Sequence, residues 1–578
     1  MPWRVAEPVS EDVRAQFPDL RPVFLQLLWN RGLRTREAMD AFLRPQWERD
    51  AFPPALFRRM GDAVARVFAA LERGETIAVH GDYDADGVCG SAVLVSTLRD
   101  ICRTSGFDER KLSWYLPHRE TEGYGLAVPT MEKLATERGA TLVITVDCGI
   151  SNKPAVDRGR ELGVDTIVCD HHAMPAALPE AAILIHPQAP GETYPNKHLC
   201  GTGVAFKLAS ALVQEARRRG AALPEGHEKW LLDLVAVATV TDVVPLIGEN
   251  RALEAYGLIV LNKTRRPGFK ALLEAQGAAP GAADTATIGF QIGPRLNAAG
   301  RMDHASGALE LLLAEDAAEA ARLAEALQAA NARRQEASDR MYLEALEQVG
   351  EIGARTLVVA RGDGWPSGLV GLVASKLANA FHRPALVIGG ADGRYVGSGR
   401  SIPGFDITAM LRAAAEHLDK FGGHPQACGF SITGADRLAR AVGAMEAHAE
   451  ANLSAEQLVP ILDVDAELRL EDADGELLAD IDRLRPFGEG NRPPVFAVRG
   501  LAVSGVDTVG AEGRHLRLAV RSPFGRFFRM IGFRFGDRAA TLKLGDRVDV
   551  AFELGENEWR GRKEMQYRIV DITPSLPL

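Results

Sequence analysis

Three aspartates alternate in the stretch HGDYDADG, residues 80–87: Asp82, Asp84 and Asp86, with His80 just ahead of them. Acidic and imidazole groups recur further along, each at the end of a short apolar run. Asp147 closes TLVITVD, Asp170 closes DTIVCD and leads into His171 and His172, and Asp242 follows LVAVATVT. Converging carboxylates repel one another, and burial raises their pKa values. Divalent cations relieve both effects, and carboxylate mixed with imidazole suits Mn²⁺ or Mg²⁺. The set is too large for one ion. Two ions about 3.5–4 Å apart sharing a carboxylate form an arrangement that cleaves phosphoesters. Taken singly, each aspartate would cap a helix or close a turn, and the histidine pair would be ordinary core or surface. An EF-hand loop is excluded because its twelfth position, counted from Asp82, is Val93 rather than glutamate. Recurrence at successive run ends is what selects a metal centre.

Such groups must be positioned by a scaffold. TIAVH (76–80), TLVITVD (141–147), DTIVCD (165–170) and AAILIHP (181–187) are short β-rich runs separated by helical stretches. This alternation predicts βαβ units on a mainly parallel sheet, whose ligands sit beyond the carboxyl ends of the strands. From about residue 309 to 350 an Ala-, Glu-, Leu- and Arg-rich segment without an internal proline predicts a connecting helix, single or in tandem. RTLVVA (355–360), GLVGLVASKLANAF and PALVIG open a second α/β unit. After about residue 455 the runs HLRLAVRS, GRFFRMIGFRF, DRVDVAFEL and MQYRIVDI predict a small β-barrel of the OB type. The expected division is a helical segment at 1–50, a catalytic α/β domain at 51–308, the connecting helix at 309–350, a smaller α/β domain at 351–452 and the barrel at 453–578.

Composition agrees with a multidomain globular chain: 578 residues, 46% hydrophobic and 25% charged. The six cysteines are scattered and form no C-x-x-C pair, as expected of buried thiols in a reducing compartment. The charged amino terminus lacks an apolar signal core, and no uncharged run reaches spanning length, so the expectation is a cytoplasmic protein. The formal net charge of -10 argues mildly against nucleic acid as a partner. The carboxyl-terminal region answers it locally. Seven arginines fall between Arg514 and Arg538 with Asp537 as the one acid among them, and Phe524, Phe527, Phe528, Phe533 and Phe535 are interleaved. Basic strands with aromatics suit single-stranded nucleic acid, although alternation sends at least half of these residues to barrel filling or plain solvation.

HGDYDADG, VDCG and DHH, in this order, resemble the DHH phosphoesterase superfamily. PHRETEGYGL (117–126), LCGTGVAFKL (199–208), TDVVPLIGENR (241–251) and PRLNAAGRMDHA (294–305) resemble the RecJ family of single-strand-specific 5′→3′ DNA exonucleases. FGGHPQACGF (421–430) resembles the DHHA1 signature, and LRPFGEGNRPPVF (484–496) the approach to the RecJ OB domain. The resemblance implies a two-metal exonuclease, with Mn²⁺ or Mg²⁺, that degrades single-stranded DNA to mononucleotides in recombination and repair. It implies His80 and Asp84 on one metal, Asp86, His171 and Asp242 on the other, and Asp147 between them. His172 is placed next to the scissile phosphate, and Asp82 is either a ligand or an orienter of the attacking water. The 5′-phosphate pocket is assigned to Arg119, Ser398 and Arg400. DNA contacts are assigned to Tyr124, Asn297, Arg301 and His424. The implied partners are single-stranded DNA, a single-strand binding protein and a helicase, and the expected state is a monomer.

Two departures stand out. Pro366 in WPSG replaces the histidine of the family's Trp-His-x-Gly, and Gly399 in GSGRS is smaller than the usual residue, which predicts a looser hold on Arg400. No G-x-x-x-x-G-K-[ST] motif is present, so ATP hydrolysis is not expected. The alternatives are a DHH phosphodiesterase acting on short oligoribonucleotides or cyclic dinucleotides, and a catalytically inactive scaffold that binds DNA.

Overall fold

The computed structural model describes residues 1–180, 182–277, 279, 281–559 and 562–575. The chain forms two compact units, Trp47–Val459 and a second built from Met1–Gln46 together with Pro460–Leu578.

The larger unit begins with a five-stranded parallel sheet made of β1 (Thr76–Gly81), β2 (Leu112–Tyr115), β3 (Ala140–Val146), β4 (Asp165–Cys169) and β5 (Ile183–Ile185), in the order β2-β1-β3-β4-β5. Three of the four expected runs pair close to their expected bounds; the strand in AAILIHP is trimmed to three residues, and position 181 lies outside the described residues. Helix α1 (Ala85–Ser105) follows β1 directly. Asp84 caps its amino end and Gly106, at φ 76°, ends it. Its Val88, Val93, Leu94, Leu98 and Ile101 are fully buried, each contributing about 1.5–3 kcal/mol of transfer free energy. Glycines let it come close: a Cβ on Gly87 would fall 2.6 Å from the Asp82 nitrogen, and one on Gly90 would fall 3.1 Å from Cα of Thr202. Thr202 lies in α2 (Gly201–Arg218), the helix packed along α1.

LVAVATVT is not a strand. It forms α3 (Leu232–Thr241), buried on nearly all sides, and Asp242 is its carboxyl-terminal cap. A run apolar on every face has no period to separate strand from helix. Helix α4 (Gly293–Met302) carries Asn297 and Arg301. The connector is two helices: one at Ser306–Leu313, then, after a break capped by Asp316, α5 (Ala317–Val349). The second α/β part of this unit is a five-stranded mixed sheet of β6 (Val358–Asp363), β7 (Ala385–Ala391), β8 (Arg394–Arg400), β9 (Lys420–His424) and β10 (Ala427–Thr433), with α6 (Ser367–Phe381) packed on β7 and β8.

In the smaller unit, a closed barrel forms when the long strand Val495–Val509 pairs with both His515–Arg521 and Arg547–Trp559. The expectation of a separate segment at 1–50 differs from the structure. Trp3–Val5 pairs in parallel with Leu462–Val464, and Phe24, Leu27 and Leu28 share one core with Leu470, Phe496 and Phe552. Sequence distance hides this pairing, because an amphipathic helix does not state which apolar surface it covers. Among the described residues no helix is long and apolar enough to cross a membrane.

Candidate metal and phosphate site

The carboxyl ends of β1, β3 and β4 bring the acidic groups together, and α3 adds one more. Three groups of ligand atoms lie within 4.8 Å of one another: Asp82, Asp84 and Asp147; Asp86, His171 and Asp242; and Asp147, His171 and His172. Asp147 and His171 each belong to two of them. His171 Nε2 lies 3.1 Å from Asp147 Oδ1, 3.6 Å from Asp242 Oδ2 and 3.7 Å from Asp86 Oδ2. His80 falls in none of these groups. It is fully buried, its Nδ1 lies 3.7 Å from the Cys148 sulfur, and its Nε2 has no hydrogen-bond partner.

Each carboxylate is held by the local fold. Asp84 Oδ1 accepts the Asp86 and Gly87 N–H groups at 3.0 and 3.2 Å. Both oxygens of Asp86 accept from the amino end of α2, Gly201 N–H and Thr202 N–H at 2.7 Å each. This partly offsets burial of the charge. Asp147 sits at φ 59°, a left-handed conformation that costs a non-glycine residue about 1–3 kcal/mol.

The electrostatics ask for cations. Burial, then the charge of Asp86 and its neighbours, pushes the Asp147 carboxyl well above the usual range. Burial and then Asp84 raise Asp82, and burial and then Asp86 raise Asp242. Burial lowers His171, leaving a neutral imidazole with a lone pair to offer. Asp82 Oδ1, Asp147 Oδ1 and His171 Nε2 are buried without a hydrogen-bond partner. Orphaned oxygen and nitrogen acceptors of this kind fit hard or borderline divalent ions.

His172 is differently placed. Asp170 Oδ1 accepts its Nδ1–H at 2.8 Å, and both ring nitrogens lie 3.0–3.1 Å from the Tyr124 hydroxyl. Burial lowers the His172 pKa, but the hydrogen bond and charge of Asp170 more than offset it, giving a net rise. Tyr124 donates to the Asp147 carbonyl at 3.0 Å while the residue as a whole stays 44% exposed, so it holds the site without being buried in it. The His424 ring lies nearly parallel to that of His172, centroids 6.5 Å apart. The strand-end pattern names Asp170 but gives it no role. In the fold it accepts from the His171, His172 and Ile150 backbone N–H groups as well as from the His172 ring.

Beside the carboxylates lie three arginines. Arg119 stacks on Tyr83 at 3.8 Å and donates to the Gly300 carbonyl. Arg301 donates to the Gly368 carbonyl at 2.8 Å, and burial and then Arg119 lower its pKa to about 10, with Arg400 also contributing. Arg400 donates to Ser398 Oγ at 3.0 Å and to the Gly399 carbonyl. Gly371 in α6 leaves them room, since a Cβ there would fall 2.9 Å from Arg400 and 3.1 Å from Ser398 Oγ. Asn297 is committed to the fold, its Oδ1 accepting the Ala85 N–H at the start of α1.

Gly399 lies in a packed part of its strand, where a Cβ would fall 2.6 Å from Cys428 Sγ, 2.7 Å from Ile407 and 2.8 Å from Leu386, so a larger residue would need those side chains to shift. Pro366 caps α6 and brings no side-chain donor.

Comparison with known proteins agrees with this architecture. Family models match for the DHH family N-terminal domain at residues 76–239, the DHHA1 domain at 354–451 and the RecJ OB domain at 464–571. The chain is 36% identical to the single-stranded-DNA-specific exonuclease RecJ of Bacillus subtilis over 580 residues, covering 100% of this chain and 71% of the relative. It is 35% identical to that of Dickeya dadantii, covering 97% of each. The crystal structure of RecJ from Thermus thermophilus in complex with Mn²⁺ superposes with a TM-score of 0.82 at 31% identity, over all of this chain and 80% of that one. Likeness at this level runs the whole length and takes in all three matched domains, and on that ground the chain belongs to the RecJ family.

Proposed function

We propose that this chain is a metal-dependent exonuclease that degrades single-stranded DNA from its 5′ end to mononucleotides. The observation that carries the reading is the adjacency of two opposite sites, one of buried carboxylates and imidazoles without partners, the other of Arg119, Arg301 and Arg400. None of these arginines has a carboxylate ion pair among the described residues, so the missing counter-charge is an anion from outside. A terminal phosphate, gripped by guanidinium forks, fits.

Asp82, Asp84, Asp86, Asp147, His171 and Asp242 would hold the divalent cations, with His80 adjoining them. When bound, these ions supply Lewis-acid stabilisation of a phosphodiester and lower the pKa of water. The chain's own residues do the rest. Arg119, Ser398 and Arg400 grip the 5′-phosphate, Arg301 adds charge beside them, and this fixes the register of the first phosphodiester. His172, held by Asp170 and Tyr124, faces Asp147 at 3.8 Å and is placed to hand a proton to the leaving oxygen. Tyr124 and His424 present ring faces to the strand, while Asn297 acts indirectly by fixing the start of α1.

In the barrel unit, Phe524, Phe527 and Phe533 are 65%, 70% and 50% exposed, and Arg521 lies over Phe527 at 5.7 Å, a stacking surface for bases. Phe528 instead packs against the core. The 578 residues carry no phosphate-binding loop for ATP, so duplex DNA would have to be opened by a helicase and kept open by a single-strand binding protein. Six free, buried cysteines suit the cytoplasm, and the chain would act as a monomer.

The test is release of mononucleotides from 5′-phosphorylated single strands in Mn²⁺, against duplexes and 3′-blocked strands. Release from the 5′ end of the single strand, unaffected by a 3′ block, supports the reading. Faster cleavage of dinucleotides than of long strands would replace it with a short-oligonucleotide phosphodiesterase.

A further inference from the structure

A cavity of about 590 Å³, lined in part by His118 and Thr121 on either side of Arg119 in sequence, opens beside the edge strand β2. Its polar lining is almost entirely donors. The backbone N–H groups of Glu120 and Thr121 point at His118 Nδ1, and that of Ser306 at His304 Nδ1, over 3.1–3.4 Å. A neutral imidazole whose Nδ1 accepts carries its proton on Nε2, so each ring has an N–H left to donate. The two rings are 5.9 Å apart. Lys133 Nζ and the Arg138 guanidinium both lie over the Tyr115 ring, at 5.1 and 5.2 Å, and neither makes an ion pair among the described residues. Ser113 Oγ is buried without a partner. The wall has one carboxylate, Glu122, and its oxygens already accept from Tyr115 at 2.7 Å and Thr130 at 3.1 Å.

Two cations without a carboxylate partner lie over one ring and repel each other, although Arg138 also donates to the Trp114 carbonyl at 2.7 Å, and the two imidazoles line the same cavity, whose one carboxylate is already engaged. An acceptor-rich anion resolves both. The volume lies within the roughly 300–1,000 Å³ of small-molecule sites and exceeds what inorganic phosphate alone would fill, and Trp114 and Leu112 supply an apolar wall. We propose that this cavity is a second phosphate-binding site, distinct from the arginines of the cleft, that takes a nucleoside 5′-monophosphate. Two sources share that chemistry: a deoxynucleotide released by the chain's own cleavage, and a ribonucleotide of the cell.

Equilibrium dialysis of the whole 578-residue chain, metal-free, against labelled dCMP, AMP and inorganic phosphate tests this. Wild type is expected to bind two nucleotides per chain. Lys133→Ala with Arg138→Ala should weaken one site at least tenfold, and both side chains are exposed, so the fold is kept. Arg400→Ala should weaken the other. The double variant should keep kcat/KM on a single strand within twofold of wild type. Whichever of dCMP and AMP binds the Lys133 site more tightly names the source. A single site that Arg400→Ala abolishes, retention of both sites in the double variant, or phosphate binding as tightly as dCMP would overturn the proposal. The count does not depend on cleavage, so a failure of the nuclease reading and a failure of this one are distinguishable.

Discussion

Gly201 approaches Asp147 so closely that any side chain at position 201 would collide with it. A Cβ on Gly201 would fall 2.6 Å from the Asp147 Cβ and 2.7 Å from its Oδ1. Asp147 is already in a left-handed conformation, shared between two groups of ligand atoms. The missing methyl therefore fixes where the central carboxylate stands. Gly201→Ala is expected to displace Asp147 rather than to unfold the chain, at about 1–3 kcal/mol of overpacking. Mn²⁺ affinity measured by calorimetry should fall at least tenfold, with a parallel loss of cleavage. Unchanged Mn²⁺ binding would mean that Asp147 is not a ligand.

Asp170 accepts four N–H groups while fully buried. An asparagine there keeps the size but turns an N–H₂ toward at least one of those donors. Asp170→Asn should lower kcat by about 10–100-fold, as loss of an outer partner of a site histidine typically does, with KM little changed. Separate kcat and KM values on a 5′-phosphorylated strand check this, and an equal loss in a melting midpoint alone would mark a purely structural role.

How much of this is legible in the sequence follows from the kind of signal each residue leaves. Asp82, Asp84, Asp86, Asp147 and the histidine pair stand at strand ends, and a strand end is visible as an apolar run that stops. Asp242 is found by its position after such a run, yet the run is a helix, because a segment buried on all sides carries no period. The edge strand Leu112–Tyr115 is four residues long and mostly half-buried, too short to show alternation. The barrel's longest strand, Val495–Val509, is interrupted by Gly500 and a register shift near Gly505, which read as turns in sequence. Gly399 reads as a loosened position because flexibility is a property of the residue, whereas the room left for a side chain is a property of Cys428, Ile407 and Leu386 around it.

Glu254 offers a test of stability away from the site. It is fully buried, and neither carboxylate oxygen has a hydrogen-bond partner. Burial pushes its carboxyl well above the usual range. The folded chain thus keeps a proton that the unfolded chain releases near the ordinary glutamate pKa of about 4.3. Stability is lost as pH rises from there toward the folded value. Glu254→Met removes both the titration and the unsatisfied group. It should stabilise by about 1–3 kcal/mol at neutral pH, with the gap from wild type in urea midpoints widening as pH rises above about 4.3. A gap independent of pH would show that the carboxyl is paired in solution.

Arg400 is braced by Ser398 and lies beside Gly371 of α6, so its guanidinium is held in place before any ligand arrives. A charge-assisted hydrogen bond is worth about 1.5–3 kcal/mol. Arg400→Ala should therefore reduce the preference for a 5′-phosphate over a 5′-hydroxyl end by about 10–100-fold, leaving cleavage of the 5′-hydroxyl strand nearly unchanged. Rates on matched strands differing in that one group decide it. An equal loss on both would place Arg400 in general substrate binding or in folding.

Phe524 and Phe527 are large apolar side chains left more exposed than any folding role requires. Arg469 lies over Phe524 at 5.6 Å and Arg521 over Phe527 at 5.7 Å, so each ring keeps a cation close by for a phosphate. Stacking of a base on such a ring contributes about 1–3 kcal/mol. Phe524→Ala with Phe527→Ala should weaken binding of a long single strand by roughly one and a half to four orders of magnitude while leaving kcat on a strand of a few nucleotides intact, because the carboxylate centre lies in the other unit. The slope of log affinity against log salt should stay as it was, since no phosphate contact is removed. A flattened slope would mean that the arginines had moved with the rings, and that the barrel binds the backbone rather than the bases.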